Sequence, residues 1–132
     1  MGAFDSERRE FIRISVSVPV RYRFLCEEMD HPELTMMWDG DTSNLSGGGL
    51  LLRARIPDYD WLPSLLGGRM QVGVNLILPE CDLPVKALAR VAWIEGLDET
   101  SGVAMLGLVF REITRDAQDE VLRYVIQTRM PE

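Results

Sequence analysis

A mainly β fold, a six-stranded antiparallel barrel with one C-terminal α-helix, is what this sequence predicts. Apolar and polar residues alternate with a period of two through six short stretches, turn residues separate those stretches, and only the tail switches to a helical period. A length of 132 residues, 46% hydrophobic and 27% charged, suits one globular domain able to bury a core. Closing six short strands into a barrel also removes the exposed edges of an open sheet.

The elements follow in order. In 14–25, Val16, Val18, Val20, Tyr22 and Phe24 alternate with Ser15, Ser17, Pro19, Arg21 and Arg23, the pattern of a half-buried strand in which Pro19 marks an edge or a bulge. An acidic loop around His31 leads to strands over 34–44 and 49–56, joined by the turn Ser46-Gly47-Gly48. Met70, Val72, Val74, Leu76 and Leu78 alternate in a fourth strand, 85–94 makes a fifth and 103–110 a sixth. Thr114 is placed to cap a helix over 114–130. Asp116 and Asp119 suit its positive end, Arg123 and Arg129 the other, while Ala117, Val121, Leu122 and Val125 form its apolar face.

One segment, 57–68, is longer than a hairpin needs and carries Trp61, Leu62, Leu65 and Leu66 at helical spacing before two glycines. Two readings stay open for it: a cap on an open end of the barrel, or an apolar contact for a partner or a second copy in a homodimer.

Composition excludes several functions. A formal net charge of −7 argues against long nucleic acid, whose binding needs many Lys and Arg contacts to phosphate. It leaves room for a small dianion, because Arg8, Arg9 and Arg13 sit together with Arg21 and Arg23 close behind, and local potential can oppose the total. No apolar run reaches the length of a membrane span, and no signal peptide is evident, so a cytoplasmic protein without membrane insertion is expected. His31, the only histidine, reads as part of a solvated acidic loop, and Cys26 and Cys81 read as free thiols. Neither a metal, a cofactor nor an enzyme is expected, since no nucleophile, base and orienting group occur in a usable order.

Two short motifs carry the chemistry. Arg9-Glu10-Phe11-Ile12-Arg13 spaces two guanidinium forks four residues apart, suited to clamping phosphate or lying against a base. Asn44-Leu45-Ser46-Gly47-Gly48-Gly49 supplies neutral donors and acceptors that can read a base edge, with glycines that let a ligand approach the backbone.

RxxxR followed by NxSxxG, each beside a strand, resembles the PilZ domain family of bacterial cyclic di-GMP (c-di-GMP) receptors over nearly the whole chain. Gly49-Leu50-Leu51-Leu52 and Gly107-Leu108-Val109-Phe110 extend the match. The resemblance implies a split-barrel type of fold within a single domain over 1–132: a ligand-clamping segment 1–13, a barrel over 14–110, and the helix 114–130. It implies that Arg9 and Arg13 contact phosphate and guanine while Asn44, Ser46 and Gly49 meet a guanine at the hairpin corner. Asn stands where the family also uses Asp, offering one acceptor oxygen in place of two. Arg8, just before RxxxR, matches members that hold an intercalated ligand dimer, since a further guanidinium can stack on guanine. Trp93 matches a strand position that is aromatic in some members, although its alternation with Val91 and Ala89 suits the core equally. Binding is expected to order the N-terminal arginine segment and expose a surface for an unidentified downstream protein. The alternative is an adaptor that works by protein contacts without the nucleotide.

Overall fold

The computed structural model describes residues 12–129. Its strands are β1 (Arg13–Ile14), β2 (Pro19–Leu25), β3 (Trp38–Ser46), β4 (Gly49–Arg55), β5 (Gln71–Leu76), β6 (Val85–Glu95) and β7 (Val103–Glu112). Six of them close a barrel in the order β3-β2-β5-β6-β7-β4, with β4 returning to pair with β3, and every pairing is antiparallel. The two-residue β1 is an addition, laid against the far end of β3. Inward-facing Val20, Tyr22, Phe24, Leu52, Val72, Leu76, Val91 and Leu106 fill the interior, each burying side chain worth roughly 1.5–3 kcal/mol against exposure.

The strand expected over 14–25 is interrupted. The chain leaves β3 after Ile14 and rejoins it at Pro19, opposite Asp41. Between them, Thr42 stands in for the missing ladder: its hydroxyl accepts from the Val18 backbone N–H at 2.9 Å and donates to the Val16 carbonyl, and its own N–H donates to the Val18 carbonyl at 3.0 Å. Thr42 and Val18 are buried, so these bonds satisfy backbone groups of which those of Val18 are shut off from water. Arg13 consequently lies within a strand and not ahead of the barrel.

The second strand starts later than expected, at Trp38, because Pro32–Thr35 forms a 3₁₀ turn. His31 caps that turn, its Nδ1 accepting from the Glu33 N–H at 3.1 Å, and its ring stands edge-on to Trp61 with centroids 5.3 Å apart. The expectation of a merely solvated histidine is corrected accordingly. Segment 57–68 turns out to be a cap. Asp58 Oδ1 accepts from the Asp60 N–H at 2.9 Å, opening a 3₁₀ turn (Tyr59–Trp61) that runs into α1 (Leu62–Leu66). Trp61 and Leu65 are fully buried, with Trp61 meeting Phe24 edge-on at 5.4 Å.

Helix α2 (Arg115–Arg129) is the last element among the described residues, capped as expected by Thr114, whose Oγ1 accepts from the Ala117 N–H at 3.0 Å. Val121 and Val125 are sealed against the barrel, and Gln118 Nε2 donates to the Gly47 carbonyl at 2.9 Å. The helix is therefore tied to the hairpin corner between β3 and β4.

At that corner β4 runs so near β7 that a Cβ on Gly49 would overlap the Leu108 carbonyl oxygen. The obstacle is backbone, which cannot swing aside. Gly49→Ala should destabilise the protein by about 1–3 kcal/mol in urea unfolding, the range for forced overpacking. Thr42→Val keeps shape but leaves Val18 N–H and Val16 C=O unpaired, and should cost about 1–3 kcal/mol in the same measurement.

Candidate functional site

Register brings the last residue of the first motif, Arg13, to the second motif. β1 pairs Arg13 with Ser46 and Ile14 with Leu45. Because Ile14 and Leu45 point into the core, the period-two alternation turns Arg13 outward beside the hairpin corner. Two irregularities supply the remaining side chains. In β3 a bulge between Thr42 and Asn44 inserts Ser43, and Asn44 emerges half-buried opposite Leu51. In β6 a second bulge between Val91 and Trp93 breaks the alternation, so that Ala92 and Trp93 both lie outside.

That second bulge corrects the core reading of Trp93. The indole is 43% exposed and lies on Gly107, its register partner, where any Cβ would overlap the ring. Trp93 is a surface aromatic on a glycine floor. Gly107, which in the sequence only extends the motif match, is a further residue of this site, and a glycine inside an apolar strand often marks such a close approach.

These pieces line one cleft of about 480 Å³, formed by Arg13, Asn44, Ser46, Gly48, Gly49 and Trp93 with Val109 at its side. Its size falls in the range of small-molecule sites. Arg8 and Arg9 lie outside the described residues. Within the corner, Ser46 is only 8% exposed, and its hydroxyl accepts from the Gly48 N–H at 3.2 Å and donates to the Gly49 carbonyl at 3.3 Å. A hydroxyl has one donor and two acceptor positions, so one lone pair is left over. Gly49 is demanded first by its contact with β7, which also leaves the cleft wall bare of a side chain.

The cysteines lie apart from the cleft as free thiols. Cys81 Sγ donates to Glu120 Oε2 at 2.9 Å, and that hydrogen bond, with some burial, pushes the thiol up to about 11 and holds the Glu120 carboxyl below its usual range. A thiol raised in this way favours the protonated form, which donates to Glu120 of helix α2. Among the described residues no three His, Cys, Asp or Glu side chains gather as a metal site.

The PilZ domain family model matches residues 7–127. No curated protein matches the sequence significantly. Among solved structures, the chain resembles the inhibitor of motility MotI of Bacillus subtilis, with a TM-score of 0.65 and 22% identity over 92% of this chain and 51% of that one. It also resembles MrkH of K. pneumonia, solved as a complex with cyclic di-GMP, with a TM-score of 0.63 and 18% identity over 92% of this chain and 52% of that one. The PilZ domain of YcgR from Escherichia coli, solved with cyclic di-GMP, matches with a TM-score of 0.60 and 14% identity over 92% of both chains. The chain spans about half the length of MotI and MrkH and most of the YcgR domain. At these identities the structural likeness speaks for the fold, and the family model covers nearly all of the sequence. With a family model matched over residues 7–127, a closed six-stranded barrel, a helix after it, and Arg13 and the Asn44–Gly49 motif at one corner, the chain belongs to the PilZ domain family.

Proposed function

We propose that this protein is a cyclic di-GMP receptor that holds the nucleotide in the cleft at the β3–β4 corner and signals by protein contact. The observation that carries the reading is the convergence of Arg13, Asn44, Ser46 and Trp93, drawn from three strands by pairing and two bulges, on one cleft. Its family, and the solved complexes of MrkH and YcgR with this nucleotide, support the choice of ligand.

Each residue type has a task that the ligand's chemistry sets. Cyclic di-GMP carries two phosphates and two guanines. Arg13 and Arg9 clamp phosphate and reach the O6 and N7 acceptors of guanine, a pairing whose bidentate geometry guanidinium matches. Asn44 presents an amide, acceptor and donor both, to the base edge, and the free lone pair of Ser46 can take a guanine N–H. Gly49 keeps the wall low. Trp93, already flat on Gly107, offers its outer face for stacking a base. Arg8 adds a further guanidinium for a second, intercalated ligand. Binding draws the Arg8–Arg9 segment over the cleft, and the covered corner, tied to helix α2 through Gln118 and Gly47, presents a changed surface to a downstream protein.

Calorimetric titration with cyclic di-GMP is the direct test. Saturable heat supports the receptor, whereas a folded protein that gives none is the ligand-free adaptor. Arg9→Ala and Arg13→Ala should each weaken binding by about tenfold or more, since a charge-assisted contact is worth roughly 1.5–3 kcal/mol. Arg13↔Ser46 pairing is a backbone contact at the edge of the sheet, so circular dichroism should show the Arg13→Ala barrel intact. In the same titrations Arg8→Ala should lower stoichiometry from two toward one nucleotide per chain, and an unchanged value excludes the dimer.

Base selectivity is assigned to Asn44. Cyclic di-AMP has the same phosphate charge and different base edges, so it should compete poorly with the parent protein. In Asn44→Ala the gap should narrow, chiefly because guanine binding falls. A parent that binds both nucleotides alike has a corner that does not read guanine.

A further inference from the structure

A second concavity, of about 770 Å³, lies on the outside of β2, β5, β6 and β7. It shares no lining residue with the nucleotide cleft. Alternation in β2 sends Tyr22 and Phe24 inward and Arg23 outward, and Arg23 pairs with Gly73 of β5, which pairs in turn with Leu88 of β6. One row along, Asn75 pairs with Lys86. Arg111 of β7 completes the rim, so three cations from three strands face a lining whose one carboxylate is Glu112.

Among the described residues none of these three cations makes an ion pair, whereas Arg21, Arg53 and Arg123 each meet a carboxylate. Three unpaired cations against one carboxylate leave this face a positive balance in a chain whose net charge is −7, a local charge that the composition hides.

The floor is independent evidence. Gly73 sits in mid-strand with no positive φ, and a Cβ there would meet only Leu25 Cδ1 at 3.5 Å and Arg23 Cγ at 3.8 Å, ordinary contacts. Packing does not demand glycine at this position, and an interior strand glycine costs stability. What the missing side chain does is keep the floor of the concavity low. The walls are apolar, with Leu25, Leu88, Ile113 and a 37% exposed Met37, whose flexible thioether adapts to varied shapes.

We propose that this groove binds an acidic, partly apolar peptide segment of a partner protein. The cations take its carboxylates, the apolar walls take its aliphatic side chains, and the glycine floor lets its backbone lie close to the sheet. Nucleic acid fits less well, because the lining has no aromatic side chain on which a base could stack.

Fluorescence anisotropy with a labelled synthetic peptide of alternating glutamate and leucine tests this, with a lysine–leucine peptide as counterpart. The acidic peptide should bind the parent, lose affinity as salt rises, and be bound at least about tenfold more weakly by Arg23→Glu/Lys86→Glu/Arg111→Glu. Gly73→Val, which leaves every charge in place and suits a strand, should weaken it similarly while unfolding at the parent's denaturant concentration or above. Cyclic di-GMP titrations of the same variants should match the parent, which separates failure at this groove from failure at the cleft. The proposal is overturned if the parent does not bind the acidic peptide, if the lysine peptide binds as well, if both variants bind like the parent, or if a single-stranded oligonucleotide proves the stronger ligand and displaces the peptide.

Discussion

Closure of the barrel depends on the close backbone approach of β4 to β7 at the start of β4. There the chain has just turned from β3, and Gly49 must fit beneath the Leu108 carbonyl for the strand to pair on both sides. One glycine therefore serves the ring of hydrogen bonds and leaves bare the wall of the cleft. Ser46 holds the turn that leads into it, and Gln118 of α2 grips the Gly47 carbonyl at its tip. The corner is the place where barrel, helix and candidate site share atoms.

Around that corner the site is made by departures from a regular sheet. A barrel strand points alternate residues in and out, so an undisturbed β6 would have carried Trp93 into the core with Val91 and Ala89. The bulge before Trp93 spends one residue to turn a large aromatic outward, and Gly107 on the neighbouring strand gives the ring somewhere to lie. The bulge at Ser43 does the same for Asn44, and on the other side of β3 Thr42 replaces with its own hydroxyl the pairing lost between β1 and β2. Bulges concentrate where sheets carry function, since they re-aim side chains without dissolving the scaffold.

Charge is distributed by face. The ion pairs of Arg21 with Asp39 and Arg53 with Asp41 are long, at 3.7 and 3.9 Å, and exposed, so they contribute little to stability. Their effect is to neutralise part of the surface. Arg13 at the cleft and Arg23, Lys86 and Arg111 at the second groove remain without a carboxylate partner among the described residues. An acidic chain can thus present positive ground in two separate places, and its net charge reports on neither.

The sequence by itself determined the barrel, because period-two alternation over short stretches leaves few other ways to bury the apolar face, and it determined the helix, because Thr114 and the 3.6-residue spacing of Val121 and Val125 act locally. It also held part of the candidate site's inventory in two motifs, with Trp93 and Gly107 outside them. What only the tertiary structure decided were features that depend on neighbours distant in the chain. The first strand breaks at 15–18 because Thr42 offers its hydroxyl there. Segment 57–68 is a cap because the barrel end leaves room for Trp61 and Leu65 beside Phe24. Trp93 faces outward because a bulge shifts its register and Gly107 lies opposite. Alternation is written into consecutive residues, whereas register, bulges and the space left by a glycine are properties of paired strands, which come into being only when the barrel closes.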